Sequence, residues 1–340
     1  MNQRTSLRHA QRGLTLLELM VAMVLALLVA MAATGALFIA RQGFSNVDSA
    51  AQLRDNARFA QDLIQRIGVQ TGFKSFQYAA ETTPASNAGI TANPPPNIFG
   101  LNNSSRASKN VTWDSGSSRT SSSALGYGSD ILVFRFQTNA INSASTASDG
   151  TMIDCMGISP SQAPTSRSDR MVSILYVDTS NDGEPSLMCA RSDTGDAPYD
   201  VQPVIQGVEN FQVLYGVDGI GPGNTTVPIP SSTYDSVPER YLRADQLTIA
   251  GNEAATYANW QRVRSIRVGM VLRAASGSAV DRSSQTYYPL GPSKSSASAS
   301  TGSAFASTSD PGTTFTPTPD GRLRQEVTFT VHLRNYQGDL

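Results

Sequence analysis

The residues that usually do chemistry are scarce in this chain of 340 residues, which contains two histidines, His9 and His332, and two cysteines, Cys155 and Cys189. A Cys/His zinc cluster takes about four such ligands, which would use every one of them, and a Cys–His dyad needs a partner at close range, so both have almost no raw material here. No G-x-S-x-G elbow, no phosphate-binding G-x-x-x-x-G-K-[ST] loop and no H-E-x-x-H pair occurs in the sequence. The acid-rich run 178–184, Asp-Thr-Ser-Asn-Asp-Gly-Glu, holds oxygens that would suit calcium, but without the alternating spacing of an EF-hand loop, and it is expected to be a turn between strands. Gly219-Ile220-Gly221-Pro222-Gly223 does not connect a strand to a helix and is likewise expected to be a turn. His332 falls in an alternating strand pattern, where a satisfied or solvent-facing imidazole is expected instead of a general base. The many carboxylates cannot be paired from sequence alone. The expectation is a protein with no catalytic residues, no cofactor and no metal.

Charged residues make up 16% of the chain and the net charge is −1, which leaves no basic patch for nucleic acid. One charge is conspicuous by its position. Residues 14–40 read LTLLELMVAMVLALLVAMAATGALFIA, and Glu18 is their only ionisable side chain. The run is long enough to cross a hydrocarbon layer of roughly 30 Å as a helix. Arg4, Arg8 and Arg12 precede it with no acid among them, so the positive-inside tendency puts the N-terminus in the cytoplasm. A carboxylate in such a helix costs roughly 2.5–3.5 kcal/mol at the membrane centre and less near an interface, which makes it a functional candidate. A secretory signal cut after Ala30-Met31-Ala32, or a plain permanent anchor, would leave Glu18 without a role.

Gly13-Leu14-Thr15-Leu16-Leu17-Glu18-Leu19-Met20-Val21 resembles the leader junction of type IV prepilins and type II secretion pseudopilins. That resemblance implies cleavage by a prepilin peptidase between Gly13 and Leu14, N-methylation of Leu14, and retention of the apolar helix. Glu18 would then be the fifth mature residue, whose carboxylate meets the terminal amine of a neighbouring subunit in an assembly salt bridge. Leucine stands where the family usually has phenylalanine after the cut, and no proline interrupts the helix, so any melting on assembly is expected near residues 33–35, at Gly35.

The elements that must carry this site follow from periodicity. After Arg41, the positions Val47, Ala50, Leu53, Ala57, Ala60, Ile64 and Ile67 recur at spacings of 3 or 4, a single helical stripe closed by Gly68 and Gly72. Together the two halves predict a helix of about 80 Å. Residues 73–128 are rich in Ser, Asn, Pro and Thr and predict a polar connection with a short strand near 110–113. Strand-like runs follow at 130–137, 171–177, 186–190, 208–217, 263–273 and 326–334, with clear alternation in the last three. The Ser/Ala/Thr/Pro-rich stretch 276–319 predicts an exposed, mobile excursion. The organisation expected is therefore leader 1–13, membrane and filament-core helix 14–40, amphipathic helix 41–72, polar loop 73–128 and a β-rich head 129–340. Cys155 and Cys189 lie beyond the membrane segment, where a disulfide can form; two buried free thiols are the alternative.

The phrases AQLRDNARFAQDLIQRI, GVENFQVLYGVD, WQRVRSIRVGMVLR and RLRQEVTFTVHLRN resemble PilW-type minor pilins, whose secretion counterpart is the GspJ pseudopilin. The fold implied is α+β and pilin-like, a long N-terminal helix packed on an antiparallel C-terminal sheet. The function implied is a minor pilin that primes type IV pilus assembly and sits at the tip. Its partners would be other minor pilins and the major pilin through the N-terminal helix, prepilin peptidase, inner-membrane lipid before assembly, and a tip adhesin. A GspJ-like pseudopilin is the near alternative, and a Sec-exported or anchored binding protein or hydrolase the distant one.

Overall fold

The structure is a computed structural model and describes residues 15–79, 95–220, 226–228, 235–279, 281–291, 314–335 and 337. The chain divides into two units, residues 1–48 and 49–340. Helix α1 spans Leu16–Gln70 and contributes to both units. In the first unit its side chains from 16 to 41 are exposed throughout, and Val47, expected at the head of the buried stripe, is exposed as well. In the second unit the stripe is buried from Ser49 through Leu53, Ala57, Ala60, Ile64 and Ile67 to Gly68. The helix stops where Gly72 takes φ +77°, the left-handed conformation that glycine adopts without a Cβ penalty. A one-turn helix α2 (Phe76–Ala79) follows.

The rest of the second unit is antiparallel sheet. The first sheet has the order β1 (Ile98–Leu101), β4 (Ile131–Phe136), β5 (Met171–Thr179), β6 (Pro185–Ser192), β7 (Asp200–Gln206). The second has the order β11 (Arg324–His332), β10 (Val263–Arg273), β8 (Val208–Val217), β9 (Arg240–Leu242). A small hairpin joins β2 (Ser104–Ser105) to β3 (Ser117–Ser118), and helix α3 (Glu253–Trp260) precedes β10.

One core is shared by α1 and the inner faces of both sheets. Ile64 and Ile67 of the helix meet Phe134 and Phe136 of β4, Phe211 and Val213 of β8, and Ile266 and Val268 of β10. A second cluster lies on the opposite face of the first sheet, where Ile131, Val133, Ile174 and Tyr199 are covered by Phe99, Leu101 and Trp113. This second cover explains the sequence of β4: every residue of ILVFRF is buried, so no polar alternation remains to be read. It also corrects the reading of 73–128. Residues 110–113 form no strand; the strands of that region are β1, β2 and β3, and Trp113 is part of the lid over the sheet. The sheets are joined where Asp130 continues β4: its N–H donates to Phe211 O at 2.8 Å and its carboxylate accepts from Val213 N–H at 2.9 Å. Within 276–319, residues 281–286 are exposed as expected, while parts of the described flanks pack on the head. Tyr287 bridges Phe315, and Leu290 is buried on Leu214; residues 280 and 292–313 lie outside the described residues.

Candidate functional site

Thr15 and Glu18 open α1 in the pattern of a capping box. The Glu18 N–H donates to Thr15 Oγ1 at 3.3 Å, and the Leu19 N–H donates to Thr15 O at 3.1 Å, starting the helical ladder. The T-x-x-E spacing that produces this was present in the sequence and is a signal that the periodicity analysis passed over. Glu18 is exposed in the first turn, where the positive end of the helix dipole favours a carboxylate. Gly13 and Leu14 lie outside the described residues. Ala30-Met31-Ala32 lies in unbroken helix, with Thr34 Oγ1 donating to Ala30 O at 3.0 Å and to Met31 O at 2.9 Å. Among the described residues, a Cβ placed on Gly35 would meet nothing within 4 Å beyond its own stretch of helix. The α1 segment is long and apolar enough to span a membrane, and none of its most apolar window is buried.

The other end of α1 is fastened to the head by the last residues of the chain. Gly68 lets Val331 approach so closely that an added Cβ would lie 2.8 Å from Val331 Cγ1. Asn335 Nδ2 donates to Val69 O at 3.1 Å and Thr71 O at 3.1 Å, satisfying carbonyls that a helix C-terminus leaves open. Gln337 Nε2 adds a bond to Thr71 O at 3.3 Å.

Cys155 and Cys189 form a disulfide with a Cα–Cα distance of 5.8 Å. It ties the segment between β4 and β5 onto β6. Next to it the buried Asp154 pairs with Arg191, which also pairs with Asp193 and, at 3.2 Å, with Asp200. Disulfide and ion pair therefore hold the same segment from adjacent residues.

A further group of charged side chains is engaged in structure. Glu184 accepts from Arg273 Nη2 at 2.8 Å and Arg322 Nη2 at 3.1 Å; Glu209 accepts from Arg273 Nη1 at 3.0 Å and Arg324 Nε at 2.6 Å; Asp320 accepts from Arg324 Nη1 at 2.8 Å. Burial works to raise the Glu184 pKa, yet the hydrogen bonds from Arg273 and Arg322 prevail and hold it below the ordinary carboxylate range. This closed ring of three arginines and three acids joins the β5–β6 turn to β8, β10 and β11, and sequence reasoning could not have assembled it. In the 178–184 turn, Asp182 accepts from Ser180 and, at 3.0 Å, from Gln206, so its carboxylate and that of Glu184 are turned onto protein donors. Asp218, Asp235 and Glu239 bring carboxylate oxygens within 4.8 Å of one another, but Asp218 pairs with Arg264 at 3.2 Å and accepts from Ser236 N–H at 2.9 Å. His332 is exposed on β11.

Residues 174–335 match the family model described as type IV pilus-assembly protein W, and residues 8–34 match that of the prokaryotic N-terminal methylation motif. The first match covers the chain from β5 to the segment that caps α1, and the second spans the candidate processing site, Glu18 and most of the apolar run. A search of curated proteins returns no match. Among solved structures the chain is similar to a type IV-like pilin from Thermus thermophilus, with 12% identity, 84% of this chain and 98% of that chain covered, and a TM-score of 0.39.

Proposed function

We propose that this type IV pilin-like chain, membrane-anchored by its N-terminal helix, is a minor subunit of a type IV pilus that primes assembly and remains at the tip. The precursor is cut between Gly13 and Leu14 and methylated on the Leu14 amine. It then stands in the inner membrane, N-terminus cytoplasmic and head periplasmic, before the helix is drawn among those of other minor pilins and the major pilin. The role is structural, not catalytic.

The observation that carries this reading is the pairing of a T-x-x-E helix start with an apolar surface that has no cover of its own. Leu16, Leu17, Val21, Leu25, Leu28 and Phe38 are all more than half exposed, and such an area must be surrounded by lipid or by other helices. Cleavage before Leu14 would place a new cation just ahead of the positive end of the helix dipole, an unfavourable position for a lone amine. The Glu18 carboxylate of an adjacent subunit supplies the missing counter-charge, and a pair formed away from water fixes the axial register of the incoming helix. Prepilin peptidase and a tip adhesin complete the expected partners.

The test is mass spectrometry of the processed N-terminus in cells with and without prepilin peptidase. The expected species is a chain starting at N-methylated Leu14, replaced by the uncut precursor when the peptidase is missing. A mature chain starting near Thr34 would overturn the assignment, because Glu18 would no longer be part of the protein.

A further inference from the structure

Among the described residues, no strand pairs with the outer edge of β11 in the second sheet. Its outer strand β11 pairs with β10 through nine consecutive rungs, from Arg324 opposite Arg273 to His332 opposite Ser265, without a register shift. Ala274 N–H donates to Leu323 O and Leu333 N–H to Arg264 O, both at 2.9 Å, so odd-numbered residues carry the ladder to β10. In an antiparallel pair the alternate residues then direct N–H and C=O away from the partner. Those residues are Glu326, Thr328, Thr330 and His332, and among the described residues no backbone group bonds to their outward edge.

The outer strand of the first sheet is built differently. β7 contains Pro203, and its pairing with β6 is broken by a register shift at Leu187/Met188. Proline and bulges are the devices that keep edges from recruiting further strands. β11 has neither, nor a lysine, and its sequence RQEVTFTVH is rich in strand-favouring residues.

The two faces beside this edge define what fits there. On the inner face Val327 and Phe329 are only half-buried and offer apolar contact to alternate residues of an added strand. On the outer face Glu326 already accepts the Tyr288 N–H at 2.9 Å and Thr328 donates to Pro289 O at 2.6 Å. Further along, Thr330, His332 and Arg334 are exposed, and no acid pairs with Arg334 among the described residues. Arg334 also borders an open groove of about 700 Å³ with Arg66 and Asp62 of α1.

We propose that the β11 edge is a strand-docking site for an extended segment of another polypeptide, apolar at alternate positions and acidic where it passes Arg334. A second copy of this chain is the competing occupant, since antiparallel self-pairing about Thr330 would set Glu326, which already accepts the Tyr288 N–H, opposite Arg334; the dimer outcome of the test below tells it from a foreign strand. The site lies on the head and does not depend on the processing or assembly role of the N-terminal helix.

The test uses the full chain in detergent micelles and a fluorescent nonapeptide, DVTVTVTVD, with acids at both ends to serve either strand direction. Saturable binding is expected by anisotropy, at least tenfold tighter than for KVTVTVTVK. Thr330→Pro removes one outward N–H without touching the β10 ladder, and Thr330→Lys places a charge on the edge while keeping the backbone; each is expected to weaken binding at least tenfold. Arg334→Glu is expected to reverse the preference between the two peptides. Three results would overturn the proposal: no saturable binding to the unaltered chain, undiminished binding to a Thr330→Lys chain that melts like the original, or edge-dependent dimers of the chain itself that Thr330→Lys abolishes.

Discussion

Glu18 is asked to do two things that its surroundings allow only in turn. As the acid of a T-x-x-E start it lies where the first turn of α1 favours negative charge, with its own N–H held by Thr15 Oγ1. In a bundle of apolar helices it would instead face the amine of a neighbour. A substitution that removes the carboxylate should therefore separate insertion from assembly. Glu18→Ala is expected to leave the membrane-bound fraction unchanged and to reduce incorporation into pili about tenfold, the ratio set by roughly 1.4 kcal/mol. Immunoblots of sheared pili against whole membranes measure both quantities. Undiminished piliation together with undiminished capture of other pilins would remove the role assigned to this residue. At this scale the sequence was informative because the signal is local: one acid in 27 otherwise uncharged residues is visible without any tertiary contact.

Among the elements, the strands expected near 171–177, 186–190, 208–217 and 263–273 are present as β5, β6, β8 and β10, the first two extended by one or two residues at their ends and the last two with the expected bounds. Two others were hidden for physical reasons. β7 carries Pro203, which argues against a central strand and is tolerated because the strand is an edge. β1 has four residues, too few for a period to register. The short helix α3 had its cap in plain view, since Asn252 accepts the Ala255 N–H at 3.0 Å, but eight residues give little amphipathic signal. The disulfide belongs to this scale because it joins an otherwise irregular segment to β6. In the chain-entropy account a closed loop of this length contributes roughly 3–4 kcal/mol. Cys155→Ala with Cys189→Ala is expected to lower the denaturant midpoint accordingly, and limited proteolysis should then cut first between residues 139 and 165. An unchanged midpoint would mean that Asp154 and Arg191 alone hold the segment.

For the molecule as a whole, the joint between the two sheets sets how stability responds to pH. Burial pushes the Asp130 carboxyl up to about 7, against hydrogen bonds from Val213, Asn103 and Asn102 that pull it down. With the folded value above the unfolded one, this group's contribution is fully present below about pH 4 and is lost as pH rises towards 7, by an amount of up to roughly 4 kcal/mol. The ring acids Glu184 and Asp320 act in the opposite sense, since their pKa values are lowered in the fold and their contribution is lost as pH falls through those values. Comparison with Asp130→Asn isolates the joint. The unaltered head should lose stability relative to that variant between pH 4 and 7, and parallel curves for the two proteins would refute the assignment. The sequence by itself determined the apolar helix and its single acid, the stripe from Leu53 to Ile67, and most of the strands, because each is written in a period of a few residues. Only the tertiary structure decided that a polar stretch covers the back of the first sheet, that three arginines and three acids close into a ring, and that no strand among the described residues pairs with the outer edge of β11. Those features depend on which distant residues meet, and no local pattern encodes the partner of a strand or of a charge.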